Sequence, residues 1–395
     1  MRKIILSAAV AAMALSTTAS ALEDIKVNGQ AKLWYETSDK GTAANNSLFD
    51  KEQSTGEIVF KLGVTGKQGN VGFGTTIYQT SSMGLNDELL VGNRTLATDG
   101  DMFVGEAYVT APMGSMTSLK LGKQELNTPY LFTESWNALP NTFDAAVVTV
   151  KPMDGLSVVA MYVGADNATT FKAEPLVDNE LFGGALVLGA LYKNSAFDAN
   201  FWYTNIGNAA GTGIPVTGGS TLTAYWLDAG VKVADINLRA YATSLAVEAL
   251  ADTTEAYALS AGAKVGDFDL FLAGSMVSDE NQGHAVNNIS TGGKKSSLPT
   301  EGVYTDGVYV AQNDSTAIKA KVATKIASTG IALQAVKNTN DSVAVKETTE
   351  VDLFLTDKFG DFSTTAILMH RDFKDNAEDN AQGGFYARFI VALNF

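Results

Sequence analysis

The chain has no cysteine, two histidines and seven prolines among its 395 residues. Without thiols it has no disulfides, no thiolate metal sites and no cysteine nucleophile. His284 and His370 stand far apart and outside any His-Glu-x-x-His spacing, so a histidine-held metal site is not expected. Neither histidine has a visible triad partner, and catalysis is not expected. Beyond the first 21 residues no apolar run reaches the ~18 residues of a membrane-spanning helix, which excludes a helical membrane protein. Basic residues are also in deficit: 28 Lys and Arg against 43 Asp and Glu leave a formal charge of −15. A nucleic-acid partner would want a basic footprint that this chain lacks. Attraction of cations stays open.

What is present begins with Met1-Arg2-Lys3, an apolar run from Ile4 to Leu15, and small residues ending in Ala19-Ser20-Ala21. That is the pattern of a secretory signal peptide cleaved after Ala21. Residues 22–395 then form one domain. Losing Arg2 and Lys3 leaves 26 basic and 43 acidic side chains, a formal charge of −17.

Period-two alternation recurs along the domain. One parity carries Ile25, Val27, Ala31, Leu33 and Tyr35; then Ile58, Phe60, Leu62 and Val64; then Ile236, Leu238, Ala240 and Ala242. The opposite parity carries Lys, Asn, Gln, Arg, Thr and Tyr. An apolar exterior around a polar interior is the signature of a transmembrane antiparallel β-barrel. The last segment alternates most cleanly, with Phe385, Ala387, Phe389, Val391, Leu393 and Phe395 on one face. A final strand carrying Phe389 and ending at Phe395 resembles the insertion signal of bacterial outer-membrane proteins. This resemblance implies outer-membrane lipid, lipopolysaccharide and the barrel-insertion machinery as partners, in a Gram-negative bacterium.

Tight connections are expected at Lys67-Gln68-Gly69, Pro112-Met113-Gly114, Pro152-Met153-Asp154, Lys193-Asn194, Ala234-Asp235, Gly266-Asp267, Ser328-Thr329-Gly330 and Phe359-Gly360-Asp361. Nine longer polar connections fall between them, near residues 38–55, 81–101, 125–142, 166–182, 205–219, 247–253, 279–314, 339–345 and 372–383. Strict alternation of short turns and long loops is what a barrel with tight periplasmic and extended extracellular ends produces. Eight plus nine connections join 18 strands. Weak segments at Gly183 to Tyr192 and Val345 to Asp357 leave 16 as the alternative.

Two runs carry more. Gly122-Lys123-Gln124-Glu125-Leu126-Asn127-Thr128-Pro129 and Leu139-Pro140-Asn141-Thr142-Phe143-Asp144 resemble the strand and constriction-loop signature of the OprD-like porins, which include the major outer-membrane porins of epsilonproteobacteria. The resemblance implies an 18-stranded barrel, often a homotrimer, whose third extracellular loop folds inward. Here that loop is residues 125–141. Its candidate constriction residues are Glu125, Asn127, Tyr130, Phe132, Glu134 and Trp136, followed by Asp144. Prolines bracketing three aromatic side chains make a composition suited to packing on a wall rather than to a solvated tip.

Parity also nominates basic residues for the lumen, chief among them Lys120, Arg239, Lys319, Lys321, Lys325 and Arg371. Facing Glu125 and Glu134, they are expected to set a transverse field across the narrowing. Each also has a plainer reading, as a partner of acids on adjacent strands. The loop of residues 279–314 holds Asp279, Glu280, Asn281 and Asp306, oxygen ligands for a calcium ion, but no calcium-loop spacing, and it reads as a solvated polar loop. No other cofactor is expected. The function expected is a porin for passive diffusion of small hydrophilic solutes and ions, with a weak cation preference. The alternatives are a surface-exposed adhesive or structural barrel and a solute-specific carboxylate channel.

Overall fold

The computed structural model describes residues 22–39, 47–82, 102–167, 184–207, 220–279, 285–291, 295–341, 347–374 and 383–395. Residues 1–21, expected to be a leader, and His284, Glu280 and Asn281 lie outside the described residues.

Eighteen strands run in chain order: β1 Glu23–Ser38, β2 Ser54–Gln68, β3 Val71–Ser81, β4 Met102–Pro112, β5 Thr117–Gln124 and β6 Phe143–Met153. They continue with β7 Leu156–Asp166, β8 Ala185–Lys193, β9 Phe197–Ile206, β10 Leu222–Val233, β11 Ile236–Val247 and β12 Thr253–Val265. The last six are β13 Phe268–Val277, β14 Ser315–Ile326, β15 Thr329–Asn340, β16 Glu347–Phe359, β17 Phe362–Lys374 and β18 Gly384–Asn394. Each pairs antiparallel with its chain neighbours, and β18 pairs with β1 from Tyr386↔Ser38 to Asn394↔Gln30. The sheet therefore closes, and 18 strands rather than 16 are present; both weak segments form strands, β8 and β16. Among the described residues no helix is long and apolar enough to cross a membrane. Closure satisfies every ladder group without an edge, the condition for crossing lipid with strands.

The inside-out pattern is clear from exposure. Phe60, Leu62, Leu238, Leu259, Leu272, Leu333 and Leu368 lie exposed on the outer wall, while Lys32, Glu57, Asp228, Asp352 and Arg388 are buried on the inner one. At the seam Gly29 exchanges both backbone hydrogen bonds with Phe395, at 2.7 and 3.0 Å. The terminal ring lies across Gly29, where any Cβ would stand 2.2 Å from it. Tight turns close one end of the barrel. Most use a left-handed glycine, such as Gly69 and Gly266, but Ala234 (φ 53°) and Ala327 (φ 55°) adopt the same conformation with a side chain. The turn expected at Ser328-Thr329-Gly330 falls at Ala327-Ser328, because Thr329 and Gly330 already pair with Ile326 and Lys325.

Candidate functional site

Among the described residues, two loops turn back into the barrel. The first, L3 (residues 125–142), leaves β5 and runs inside the barrel to β10 and β11. Its hairpin is held by Thr133 N donating to Leu126 O at 2.8 Å and Thr128 N to Leu131 O at 3.2 Å. Tyr130, 1 % exposed, sits edge-on to Trp226 of β10, ring centres 6.2 Å apart, and its hydroxyl pairs with Thr243 of β11. Leu126 and Leu131 join Val163, Val187, Leu222 and Leu245 in one apolar cluster, so the wall beneath L3 is greasy where the loop covers it. The return leg passes β1, where Lys32 Nζ donates to Asn137 O and Ala138 O, both at 3.1 Å, and Ala138 and Leu139 pack on Trp34, Val59 and Tyr78.

The second is L7 (residues 278–314), expected as a solvated loop. Its described residues are instead largely buried and clasp L3 from within the lumen. The Asn288 side-chain amide pairs with the backbone of Phe132, receiving from its N at 3.3 Å and donating to its O at 2.9 Å. Ile289 N donates to Tyr130 O at 2.9 Å, and Ser297 Oγ to Pro129 O at 2.9 Å. Glu350 of β16 receives the three successive amides of Val303, Tyr304 and Thr305 at 2.5–3.1 Å, plus the Thr305 hydroxyl at 3.0 Å. Gly302 permits this approach, since a Cβ there would meet the carboxylate at 2.6 Å. Lys319 Nζ donates to Glu301 O at 2.5 Å and Arg371 to Tyr304 O at 3.0 Å. Inside L7, Lys295 lies 3.7 Å from Glu301 and 3.6 Å from Asp306. Burial pushes the Glu301 carboxyl up to about 8 and that of Asp306 up to about 6, with Lys295 opposing both. Asp306 also caps the short turn Gly307–Val310 by accepting from Val308 N. Its carboxylate is committed to these contacts.

The charges that stay in contact with lumen water lie chiefly where L3 leaves the wall. Glu125 and Asn127 are exposed. Burial and the neighbouring Glu106 raise the Glu125 carboxyl above its usual range, while Lys61 and Lys120 pull it down. Lys120 Nζ rests 3.8 Å from the centre of the Tyr108 ring, and Lys61 Nζ 5.3 Å from that of Tyr78. Across the ring of strands, Lys319 and Lys321 stand on β14, within 6.0 Å of the Phe271 ring and 5.4 Å of the Phe354 ring respectively. Trp136 is 38 % exposed, with Lys295 Nζ 5.7 Å from its ring centre and Phe132 at 6.1 Å.

Several nominated residues sit elsewhere. Asp144 faces outward and pairs with Lys123 at 3.0 Å, because Phe143 and Ala145 take the inward parity of β6. Glu134 is buried between the loops, accepting from Asn137 Nδ2 at 3.0 Å and Asn288 Nδ2 at 3.2 Å, rather than facing a lysine wall. Arg239 is paired with both Asp198 and Asp228. Arg371 lies buried behind L7 among the rings of Tyr304, Tyr309, Phe373 and Tyr386. Lys325 is exposed at the short-turn end of β14, away from the loops. Phe389 keeps the outward parity expected of it, packed beside Tyr35 and Phe49 at 6.4 and 6.3 Å. The parts that sequence reasoning missed are Glu350 and the L7 clasp. The available signal was the apolar content of a long loop, with Val286, Ile289, Leu298 and Val310 among its polar residues.

The molecule is thus a closed 18-stranded barrel narrowed by two interlocked loops with charged groups left facing the gap. No family model matches the chain, and no curated protein matches its sequence. Solved structures do match the fold. OccK8 (OprE) of Pseudomonas aeruginosa superposes with a TM-score of 0.68 at 14 % identity, over 94 % of this chain and 98 % of that one. OccAB1 of Acinetobacter baumannii gives 0.69 at 16 %, over 95 % and 97 %. OpdK of Pseudomonas aeruginosa, solved with vanillate, gives 0.66 at 14 %, over 94 % and 98 %.

Proposed function

We propose that the chain is a Gram-negative outer-membrane porin, through which small hydrophilic solutes and ions diffuse passively. The observation that carries this is the pair of inward loops, L3 and L7, which narrow a polar lumen while leaving Lys61, Lys120, Glu106 and Glu125 at the opening. A narrowing lined by both signs orders dipolar solutes and penalises apolar ones. The constriction is then lined by Glu125, Asn127 and Trp136, with Tyr130 and Phe132 anchoring the loop to the wall and to L7 and Lys120, Lys319 and Lys321 on the walls. The L3 motif and the barrel likeness agree on OprD-like porins, and the epsilonproteobacterial group is the branch the motif favours.

Acidic outer loops concentrate cations within about 8 Å of the mouth at physiological salt, which supports a weak cation preference. Export through a leader ending near Ala21, insertion through the strand ending at Phe395, lipopolysaccharide contact and a trimeric assembly complete the reading. A carboxylate-specific channel is the second reading, favoured by Lys319 and Lys321 beside aromatic rings and by the vanillate present with OpdK.

Purified protein in planar bilayers should give discrete conductance steps, and a KCl gradient should give a reversal potential of cation-selective sign. Folded, heat-modifiable protein without conductance overturns the porin reading. Deleting Leu126 to Trp136 should raise conductance; an unchanged step size removes L3 as the constriction.

A further inference from the structure

Arg239 occupies a place that ion selectivity does not explain. Its guanidinium bridges two carboxylates, Asp198 of β9 and Asp228 of β10, so the cation is more than balanced by its own neighbours. Gly230 makes the reach possible: a Cβ at that position would stand 2.8 Å from Arg239 Nη2 and 2.9 Å from Asp198 Oδ1. Asp228 is 8 % exposed and fully engaged. One oxygen takes Arg239 and Asn200 Nδ2, the latter at 3.0 Å; the other takes the indole N–H of Trp226 at 2.9 Å. Trp226 is 3 % exposed and wedged against Tyr241 at 6.1 Å. The Tyr130 ring of L3 packs perpendicular to it, ring centres 6.2 Å apart.

These contacts run in series from β9 to the loop that crosses the lumen. An indole has a single donor. Once Asp228 takes it, the ring plane is set by that bond as well as by packing, and Tyr130 docks on a surface of one orientation. Asp228 is held in turn by a planar two-armed cation that fits two carboxylates at once. We propose that Arg239 and Asp228 are positioning residues for the constriction loop, acting through Trp226 on Tyr130, and that Arg239 takes no direct part in ion selection. This rests on the reading of L3 as the constriction.

The experiment uses the full barrel in planar bilayers together with hydrogen exchange of residues 125–142. Trp226→Phe removes the N–H, keeps a ring and changes no charge. Arg239→Lys keeps the charge but replaces the planar two-armed fork with a single, shorter-reaching ammonium that cannot hold both carboxylates in the same fixed geometry. Both variants are expected to give the same phenotype: a roughly tenfold rise in time spent in wider, noisier substates, as loss of a charge-assisted buried bond implies, and faster exchange in L3. The reversal potential should stay at the wild-type value. In a barrel lacking Leu126 to Trp136, Arg239→Lys should change nothing further.

A different pattern overturns the proposal. If Arg239→Gln shifts the reversal potential while Trp226→Phe behaves as wild type, Arg239 is a selectivity cation. If Arg239→Lys still alters conductance when L3 is deleted, it acts on ions directly. Wild-type protein that is folded yet silent overturns the porin reading alone, because exchange in L3 still reports whether Trp226→Phe and Arg239→Lys loosen the loop together. Unchanged exchange in both variants sinks the positioning role whatever the conductance.

Discussion

Removing the Glu350 carboxylate should release L7 from the wall. Three backbone amides and a hydroxyl converge on it within 3.1 Å, and the residue has no exposure to solvent. A hydrogen bond to a charged group contributes about 1.5–3 kcal/mol, and the bonds to one carboxylate are not additive. Glu350→Ala, which strands three buried donors, should therefore weaken docking by about 3–6 kcal/mol. Glu350→Gln, which turns an amide N–H toward one set of those donors, should cost about 2–3 kcal/mol. At tenfold per 1.4 kcal/mol, the balance between docked and released L7 shifts by roughly two to four powers of ten in the alanine variant. Single-channel recording should show larger, unstable conductance, and trypsin added to the loop side should cut after Lys295, which is only partly exposed in the docked loop. Asn288 and Ile289 keep their bonds to L3, so Tyr130 should stay seated and the apolar cluster intact. If the alanine variant folds and shows wild-type conductance and trypsin resistance, the cradle does not hold L7.

Docking of L7 should also depend on pH. Glu301 is pushed up to about 8 and Asp306 to about 6, so the docked loop holds protons that the released loop gives up in the ordinary carboxylate range. Docking is then strongest below about pH 4, weakens as pH climbs toward 8, and levels off above. Open-channel noise should grow from pH 5 to 8.5, and Glu301→Gln should abolish the change above pH 7; noise that falls over this range contradicts the assignment. Gly29→Ala forces the Phe395 ring off the seam and should lower the yield of heat-modifiable barrel in vesicles, with partial recovery on pairing with Phe395→Leu. Full yield from Gly29→Ala alone would show the ring position is not needed. Ala234→Gly and Ala327→Gly relieve a left-handed cost of about 1 kcal/mol each, so both should raise the unfolding midpoint in urea; a lower midpoint would mean chain entropy dominates.

Strand number and inner versus outer faces were legible because a barrel with an apolar outer wall demands an unbroken period of two, and Phe60 or Leu238 can face outward only if Lys61 or Arg239 face inward. What each inward charge meets was not legible. Parity assigns a wall, not a height or a neighbour, and the register that sets both Asp198 and Arg239 opposite Gly230 arises only when three strands pair. Lys325 has lumen parity yet lies beside the short turns. Asp144 followed the loop motif, but β6 runs in regular register against β5 with Phe143 and Ala145 inward, and plain alternation leaves Asp144 on the outside. L7 was hidden for another reason. Its inward fold is fixed by Glu350, more than forty residues later, and nothing local in Gly302-Val303-Tyr304-Thr305 announces an anion to wrap around.

The seam at Gly29 and Phe395 has a consequence for how the molecule comes into being. The Gln30 side chain donates to that of Asn394 across 364 residues of chain, and the backbone ladder beside it joins the first strand to the last. Contacts of such separation bear the largest loop-closure penalty. Until they form, β1 and β18 are bare edges, open to any other strand, and in hydrocarbon no water satisfies them. Assembly is therefore all-or-none. A chain stopped short of β18 does not give a 17-stranded channel of reduced bore but an open sheet with two unpaired borders, a substrate for aggregation or degradation. The last twelve residues decide whether the preceding hundreds become a closed barrel at all.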